Sequence, residues 1–320
     1  MNFAICDCWC HPIMDRVAIV SALRHLNRPS VSRKFSRKFR ERRTRRARRP
    51  FWVGVDIGGT WIRIAASRGP RRVTTTVVRA DRDLRRLAVL LRAIWRRRGW
   101  RRGDVAALVV ASRALWTPRE RRALALTLRG LAWRVQVISD AQAAFLGAVG
   151  DGPGVLVLAG TGSIVVAHDG RGRWTRAGGF GPLVGDEGSG FWLGREWLRS
   201  LARRGDLHTV LRLVHAPDTV AQIAALAPRV LARARRGDRP ARAIARAGQI
   251  ELAGHVRNAA RALALRAPIH LSWAGSVLED RWFRSGLIRA VARAGVRARW
   301  RAPAARPVDA ALRLAARLAR

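Results

Sequence analysis

Apolar and polar positions along this chain alternate in two rhythms. Val53-Gly-Val-Asp-Ile-Gly-Gly-Thr60 followed by Trp61-Ile-Arg-Ile-Ala-Ala66 reads as strand, tight glycine turn, strand. Asp56 interrupts that apolar run just before the turn. A third strand over residues 72–78 leads into an amphipathic helix over 84–98. A buried strand over 105–111, a helix over 118–129 opened by Thr117-Pro118, and a strand over 134–138 follow. The order strand–strand–strand–helix–strand–helix–strand predicts a mixed α/β layer. It starts again at Val155-Leu-Val-Leu-Ala-Gly-Thr-Gly-Ser163 and Ile164-Val-Val-Ala167, after which a largely helical stretch fills about 188–266. A short strand over 269–273, a turn at Ala274-Gly-Ser276 and closing helices complete the chain. The pattern is that of a diverged duplication.

The two hairpin turns are built from Gly, Thr and Ser. They offer backbone N–H groups and small hydroxyls, with no Cβ to hold back a phosphate chain. Facing each other, they would clamp a nucleotide.

Composition narrows the chemistry. At 320 residues and 49% hydrophobic content the chain can bury a sizeable core, and its length favours two domains. No run of about eighteen apolar residues lacks charge, and Asp7, His11 and Asp15 interrupt the opening residues, so neither a membrane span nor a secretory signal is expected. The expectation is a soluble cytoplasmic protein. Lysine occurs only at positions 34 and 38, which excludes a Walker A loop, a kinase strand lysine or a Schiff-base lysine from the core.

The net charge of +42 points first toward nucleic acid. Yet tyrosine is absent, asparagine occurs only at positions 2, 27 and 258, and arginine and alanine are abundant, the skew of a genome rich in G and C. The arginines after residue 50 are scattered through amphipathic segments without aromatic platforms, so no specific nucleic-acid partner is expected. Residues 1–50 carry a net +11, and the like-charged run that closes them predicts a disordered basic extension. Cys6, Cys8 and Cys10 beside His11 lack the spacing of a usual zinc site, and the inert reading is preferred.

Asp56, buried in a strand against a glycine turn, is costly without donors or a cation. It either satisfies turn amides or holds Mg²⁺ beside the phosphates. Asp140 ends one strand and opens the helix over 141–148. It can serve as an N-cap, and at the carboxyl end of a strand in an open α/β sheet it is also placed to accept a proton from a substrate hydroxyl. The glycine-rich segment Ala177-Gly-Gly-Phe-Gly-Pro-Leu-Val-Gly-Asp-Glu-Gly-Ser-Gly190 precedes a helix and, with two phosphate-type hairpins upstream, reads as a substrate loop.

The ordered set Asp56-Ile-Gly-Gly-Thr60, Ser139-Asp-Ala-Gln-Ala-Ala144, Ala159-Gly-Thr-Gly-Ser163, Gly178-Gly-Phe-Gly-Pro182 and Gly185-Asp-Glu-Gly-Ser-Gly190 resembles the BadF/BadG/BcrA/BcrD-type ATPases, and among them the N-acetylglucosamine kinases. The resemblance runs from about residue 53 to 314. It implies an α/β, duplicated ribonuclease-H-like (actin-like ATPase) fold, with two domains around a nucleotide cleft. The expected division is a basic extension over 1–50, a first domain over 51–150 and a second over 151–320, its last helix packing back on the first.

By the same resemblance ATP and Mg²⁺ are the cofactors. Gly58, Gly59 and Thr60, with Gly160, Thr161 and Gly162, would hold phosphates, and Gly275 and Ser276 would pass near the adenosine. Asp140 resembles the general base, Gly179 and Asp186 resemble sugar-gripping residues, and Asp56 is the metal candidate. Phosphoryl transfer needs mainly positioning and charge neutralisation, so this set suffices without lysine. The implied activity is ATP-dependent phosphorylation of an amino sugar. The alternative is an ATPase that regulates or activates a partner protein, although the cysteine-free core argues against the cluster-bearing activators of the family. A small-molecule sugar is the expected partner, with no membrane, and a homodimer is left open. Two departures bear on the sugar: the family's Asn-containing loop after the first hairpin is shortened here, and its small-residue turn after the strand over 105–111 is replaced by Ser112-Arg113-Ala114.

Overall fold

In the first hairpin, β1 (Phe51–Ile57) pairs antiparallel with β2 (Trp61–Ser67), and every β1 side chain except that of Trp52 is buried. The computed structural model describes residues 50–320 apart from 59, 60, 70, 71, 80–85, 114 and 116. The predicted basic extension and the cysteine cluster therefore lie outside the described residues. β3 (Arg72–Arg79) extends the hairpin on one side. β4 (Val105–Ser112) and β5 (Arg134–Ser139) continue it in parallel on the other, giving the order β3-β2-β1-β4-β5.

The second sheet repeats this plan. β6 (Pro153–Ala159) and β7 (Ser163–Asp169) form its hairpin, β8 (Trp174–Gly178) flanks β7, and β9 (Ile269–Ala274) and β10 (Ala298–Trp300) run parallel beyond β6. Each strand of the first half has a counterpart of the same direction and neighbours in the second. This is the expected duplication. Two of its strands, β8 and β10, are not read from the hydrophobic pattern. β8 is five residues long with only Gly178 buried, and β10 is three residues long and half exposed, so neither shows strand-type alternation.

Helices cover both faces of the first sheet. α1 (Leu87–Arg97) buries Leu87, Leu91, Ile94 and Trp95 at helical spacing, and the Trp95 indole N–H donates to the Leu131 carbonyl at 2.9 Å. Burial of each large apolar side chain contributes about 1.5–3 kcal/mol. α2 (Pro118–Thr127) begins with a capping box in which the Thr117 hydroxyl accepts from the Glu120 amide and the Glu120 carboxylate accepts from the Thr117 amide.

The opposite face holds α3 (Asp140–Ala148) and the last helix, α11 (Pro307–Leu318), whose Ala310, Ala311 and Ala315 pack on Ala107, Val109 and Ala111 of β4. α11 approaches so closely that a Cβ on Gly54 would stand 2.3 Å from the Leu312 amide nitrogen. Only glycine fits there. The last helix thus packs back on the first sheet.

Between β8 and β9 lies the helical insertion. It comprises α4 (Gly190–Ala202), α5 (Leu207–Val214), α6 (Thr219–Ala224), α7 (Ala227–Arg235) and α8 (Arg239–Ala262). α9 (Ser276–Glu279) and α10 (Arg281–Arg293) separate β9 from β10. The core of this half sits between the second sheet and α8, where Leu252, Val256 and Ala259 meet Val157, Val165 and Leu271. Among the described residues, no helix is long and apolar enough to cross a membrane.

Candidate active site

The parallel register of the first sheet gathers charge at its carboxyl edge. Asp56 lies opposite Arg63 on β2 and Ala111 on β4, and Ser112 lies opposite Ser139 on β5. The next residues after these two serines, Arg113 and Asp140, therefore leave neighbouring strands side by side. The Asp56 carboxylate is buried, and the Arg63 guanidinium approaches no closer than 3.8 Å. Burial pushes the Asp56 pKa up to about 6, Arg63 pulls against it, and the charge of Asp140 adds to the rise.

Asp140 departs from one expectation. Ser139, not Asp140, is the N-cap of α3: its hydroxyl accepts from the Gln142 amide while the Gln142 side chain accepts from the Ser139 amide. Asp140 stands in the first helical turn with its carboxylate accepting from the Ala141 amide at 2.8 Å. Its pKa is raised by burial, against the pull of these first-turn amides and of Arg113. The cap is supplied by another residue, so the capping role does not account for Asp140.

The second hairpin turn is held from several sides. Gly160 N–H donates to the Gly162 carbonyl, and the carbonyls of Gly160 and Thr161 accept from the first amides of α4, Gly190 and Phe191, at 2.7 and 3.0 Å. The next amide, of Trp192, goes to the Ser189 hydroxyl. The α4 terminus is thus spent on the turn and fixes its shape. The turn of Gly275 and Ser276 lies directly on it: Gly275 has φ +98°, and a Cβ there would stand 2.4 Å from the Ala159 carbonyl oxygen.

Beside these turns opens a cavity of about 450 Å³. Gly160 and Thr161 form one side, Ser276 another, and Ala224, Pro228 and Leu231 of the helical insertion make an apolar wall. Small-residue turns facing an apolar slot fit a nucleoside with its phosphates. The wall residues are missing from the sequence reading because an alanine-rich helical run carries no chemical signature.

The substrate loop packs against the same hairpin. Asp186, buried and at φ +59°, accepts from the Ser163 amide at 3.3 Å and from the Gly181 amide, and burial raises its pKa. Ser163 in turn donates to the Glu187 carbonyl at 2.7 Å, and the Glu187 carboxylate meets His255 Nε2 of α8 at 3.2 Å. Gly179 sits over the Ile164 side chain. Asp186 therefore braces the loop on the turn, a contact the sequence does not disclose, and the Glu187–His255 pair is likewise unread.

The predicted site residues fall into three groups. Asp56 and Asp140 share the first sheet's edge. Gly160, Thr161, Gly275 and Ser276 share the cavity. Gly162, Gly179 and Asp186 meet around the second hairpin. Gly58 closes the first hairpin by donating to the Trp61 carbonyl at 3.0 Å, while Gly59 and Thr60 lie outside the described residues.

The sequence model of the BadF/BadG/BcrA/BcrD ATPase family matches residues 53–311. This chain belongs to that family. A curated relative, the N-acetylmuramic acid/N-acetylglucosamine kinase of Clostridium acetobutylicum, is 37% identical over 81 residues, which is 24% of this chain and 26% of the relative. The match thus spans about a quarter of that relative's length. Among solved structures, a candidate N-acetylglucosamine kinase from Chromobacterium violaceum superposes with a TM-score of 0.63 at 24% identity, covering 85% of this chain and 99% of that one. One from Porphyromonas gingivalis gives 0.61 at 18%, covering 82% and 97%. A ROK family glucokinase from Streptomyces griseus, in complex with glucose and AMPPNP, gives 0.52 at 19%, covering 83% and 99%. With the two matching sheets, these likenesses establish the duplicated ribonuclease-H-like fold.

A BadF/BadG/BcrA/BcrD family member is expected to bind ATP, and the cavity fits it. The buried Asp56 carboxylate, incompletely offset by Arg63 at 3.8 Å, fits a cation held jointly with phosphate oxygens. Among the described residues, no group of three or more His, Cys, Asp or Glu gathers to hold a metal by protein ligands alone.

Proposed function

We propose that this protein is an ATP-dependent kinase that phosphorylates a hydroxyl of an amino sugar, N-acetylglucosamine or a glucosamine-like hexose. The observation that carries this reading is Asp140. It is a partly buried carboxylate at the carboxyl end of a parallel strand, in reach of Asp56 and relieved of capping by Ser139. The names of the Clostridium acetobutylicum relative and of the Chromobacterium violaceum neighbour support an amino sugar, and that of the Streptomyces griseus glucokinase supports sugar phosphorylation more broadly.

When bound, ATP would supply the γ-phosphoryl group and Mg²⁺ would offset its developing charge. Asp140 accepts the proton of the sugar hydroxyl, and Asp56 holds the metal. The two hairpin turns, Gly58, Gly59 and Thr60 with Gly160, Thr161 and Gly162, hold the phosphates; the Gly58 and Gly160 amides are spent on closing the turns, so these two glycines act by leaving room for the phosphate chain. The first sheet with α1 to α3, residues 51–150, and the remainder, 151–320, whose last helix packs back on that sheet, act as the two domains of the cleft. Gly275 and Ser276 border the adenosine, and Gly179 and Asp186 border the sugar. The cytoplasm, where ATP and free amino sugars meet, is the proposed compartment.

The test is ADP release with N-acetylglucosamine, glucosamine and glucose. Sugar-stimulated turnover supports the kinase. ATP binding with no stimulation by a broad sugar panel removes it and favours the second reading, an ATPase that regulates a partner protein. One observation favours that alternative: Phe180, Leu183 and Val184 of the substrate loop are 64%, 92% and 76% exposed, an apolar patch of the kind that protein partners cover.

A further inference from the structure

At the amino edge of the first sheet, the end away from Asp140, the fold assembles a surface whose parts lie far apart in the sequence. Trp133 directly precedes β5 and Asp140 directly follows it, which sets the two about 20 Å apart. Trp133 is 65% exposed, and the Arg102 guanidinium lies over its ring at 5.3 Å. Two adjoining cavities flank this pair. One, of about 530 Å³, is lined by Arg102, Arg122, Arg129 and Trp133. The other, of about 350 Å³, is lined by Arg92 and Arg96 of α1 and shares Arg102 and Gly130 with the first.

No carboxylate lines either cavity. Among the described residues the guanidinium groups of Arg96, Arg122 and Arg129 make no hydrogen bond or ion pair, and that of Arg92 donates to the Thr127 carbonyl at 3.0 Å, which leaves its charge unanswered. Asp104, in the short turn with Arg102, accepts instead from the Arg101 amide at 2.9 Å. Neither residues 1–50, at a net +11, nor a second copy, at +42, complements such a surface. An anionic occupant does, and the indole among the cations selects which. Unpaired bases stack on an exposed aromatic ring while guanidiniums in a groove hold the phosphates; a duplex hides its base faces, and a bilayer has no rings to stack.

We propose that this face binds single-stranded nucleic acid without sequence preference, by stacking on Trp133 and by phosphate contacts with Arg96, Arg122 and Arg129. Arg102, stacked against the indole, adds its cation to the same platform. Arginines that are scattered along the sequence thus converge on one aromatic ring, a platform that residue spacing does not reveal. This binding is independent of the kinase reading, because the face lies at the opposite end of the strands from Asp56 and Asp140.

The experiment is fluorescence anisotropy of a labelled oligothymidylate of about 15 nucleotides with the full chain over a salt series, repeated with a duplex of equal length and with phosphatidylserine vesicles. A chain of net charge +42 attracts every polyanion, so the variants must separate this face from the bulk charge. Trp133→Ala alters no charge and should raise the Kd for the single strand about tenfold, with duplex binding nearly unchanged. Arg122→Met/Arg129→Met should flatten the slope of log K against log salt by about 1.4. The control Arg239→Met/Arg246→Met, on exposed positions of α8 in the other half, should move it much less. A Kd unmoved by Trp133→Ala, or equal losses from the two arginine pairs, overturns the site. Vesicle binding lost in Trp133→Ala while single-strand binding is kept overturns it in favour of a membrane surface. Sugar-stimulated ADP release decides the kinase reading separately, and either can fail alone.

Discussion

The two halves of this molecule share a strand plan and almost nothing else. In the first, carboxylates and guanidiniums line the end of the sheet, and one described α-helix, α1, and a short 3-10 turn at Arg102–Asp104 lie between β3 and β4. In the second, the same edge is made of glycine turns and hydroxyls, and five helices intervene between β8 and β9. Those helices supply the apolar wall of the turn-side cavity. Duplication provides two equivalent sheet edges. On the proposed function, divergence gives one the groups that handle protons and metal, and the other the backbone cradle and slot for a nucleoside.

The most severe way to break this division is Asp140→Asn. Removing the proposed base should lower kcat about a thousandfold while calorimetry shows ATP analogue affinity kept, because the proposed nucleotide cavity belongs to the other half. Comparable losses of both would mean that the halves do not divide the work.

Asp56→Asn comes next and acts through pH. The Asp56 pKa is raised from 3.8 to about 6, so the folded chain binds that proton more tightly than the unfolded chain. Stability from this group is complete below 3.8 and is lost as pH climbs toward about 6. Relative to the parent, Asp56→Asn should therefore stabilise the nucleotide-free protein by up to about 3 kcal/mol above that range and by nothing at its acid end. Denaturant melts at several pH values check this. The same change should weaken nucleotide binding only when Mg²⁺ is present.

In the second half, Gly275→Ala forces a Cβ against the Ala159 carbonyl at a positive φ. A loss of about 2 kcal/mol in stability should come with weaker nucleotide binding and an unchanged KM for sugar. The smallest effect is expected from Asp206→Ala, which removes the side-chain cap of α5 and lines neither the turn-side cavity nor the cavity that opens beside Ser139. About 1 kcal/mol of stability should go, with kcat and both KM values unmoved.

Much of this difference is legible in the chain. Both hairpins announce themselves by apolar runs broken at glycine, and the long helical stretch by its periodicity. Asp140 was readable as an N-cap or a base, and Ser139-x-x-Gln142, a capping-box spacing one residue earlier, carries the clue that separates the two. β8 and β10 stay hidden because Trp174-Thr-Arg-Ala-Gly178 and Ala298-Arg-Trp300 are short and half exposed, held in place by pairing to β7 and β9 more than by their own burial. The Asp186 contact with Ser163 spans 23 residues, and the Glu187–His255 pair spans 68. Such contacts arise from tertiary placement, which local spacing does not encode.

The central claim is a nucleotide held by the second half with its phosphates reaching a metal carboxylate in the first. Titrating the full chain with a non-hydrolysable ATP analogue, with and without Mg²⁺, measures it directly. The account predicts one site per chain whose affinity rises with Mg²⁺ and loses that rise in Asp56→Asn. Binding that ignores both the metal and Asp56, or no binding at all, would contradict it.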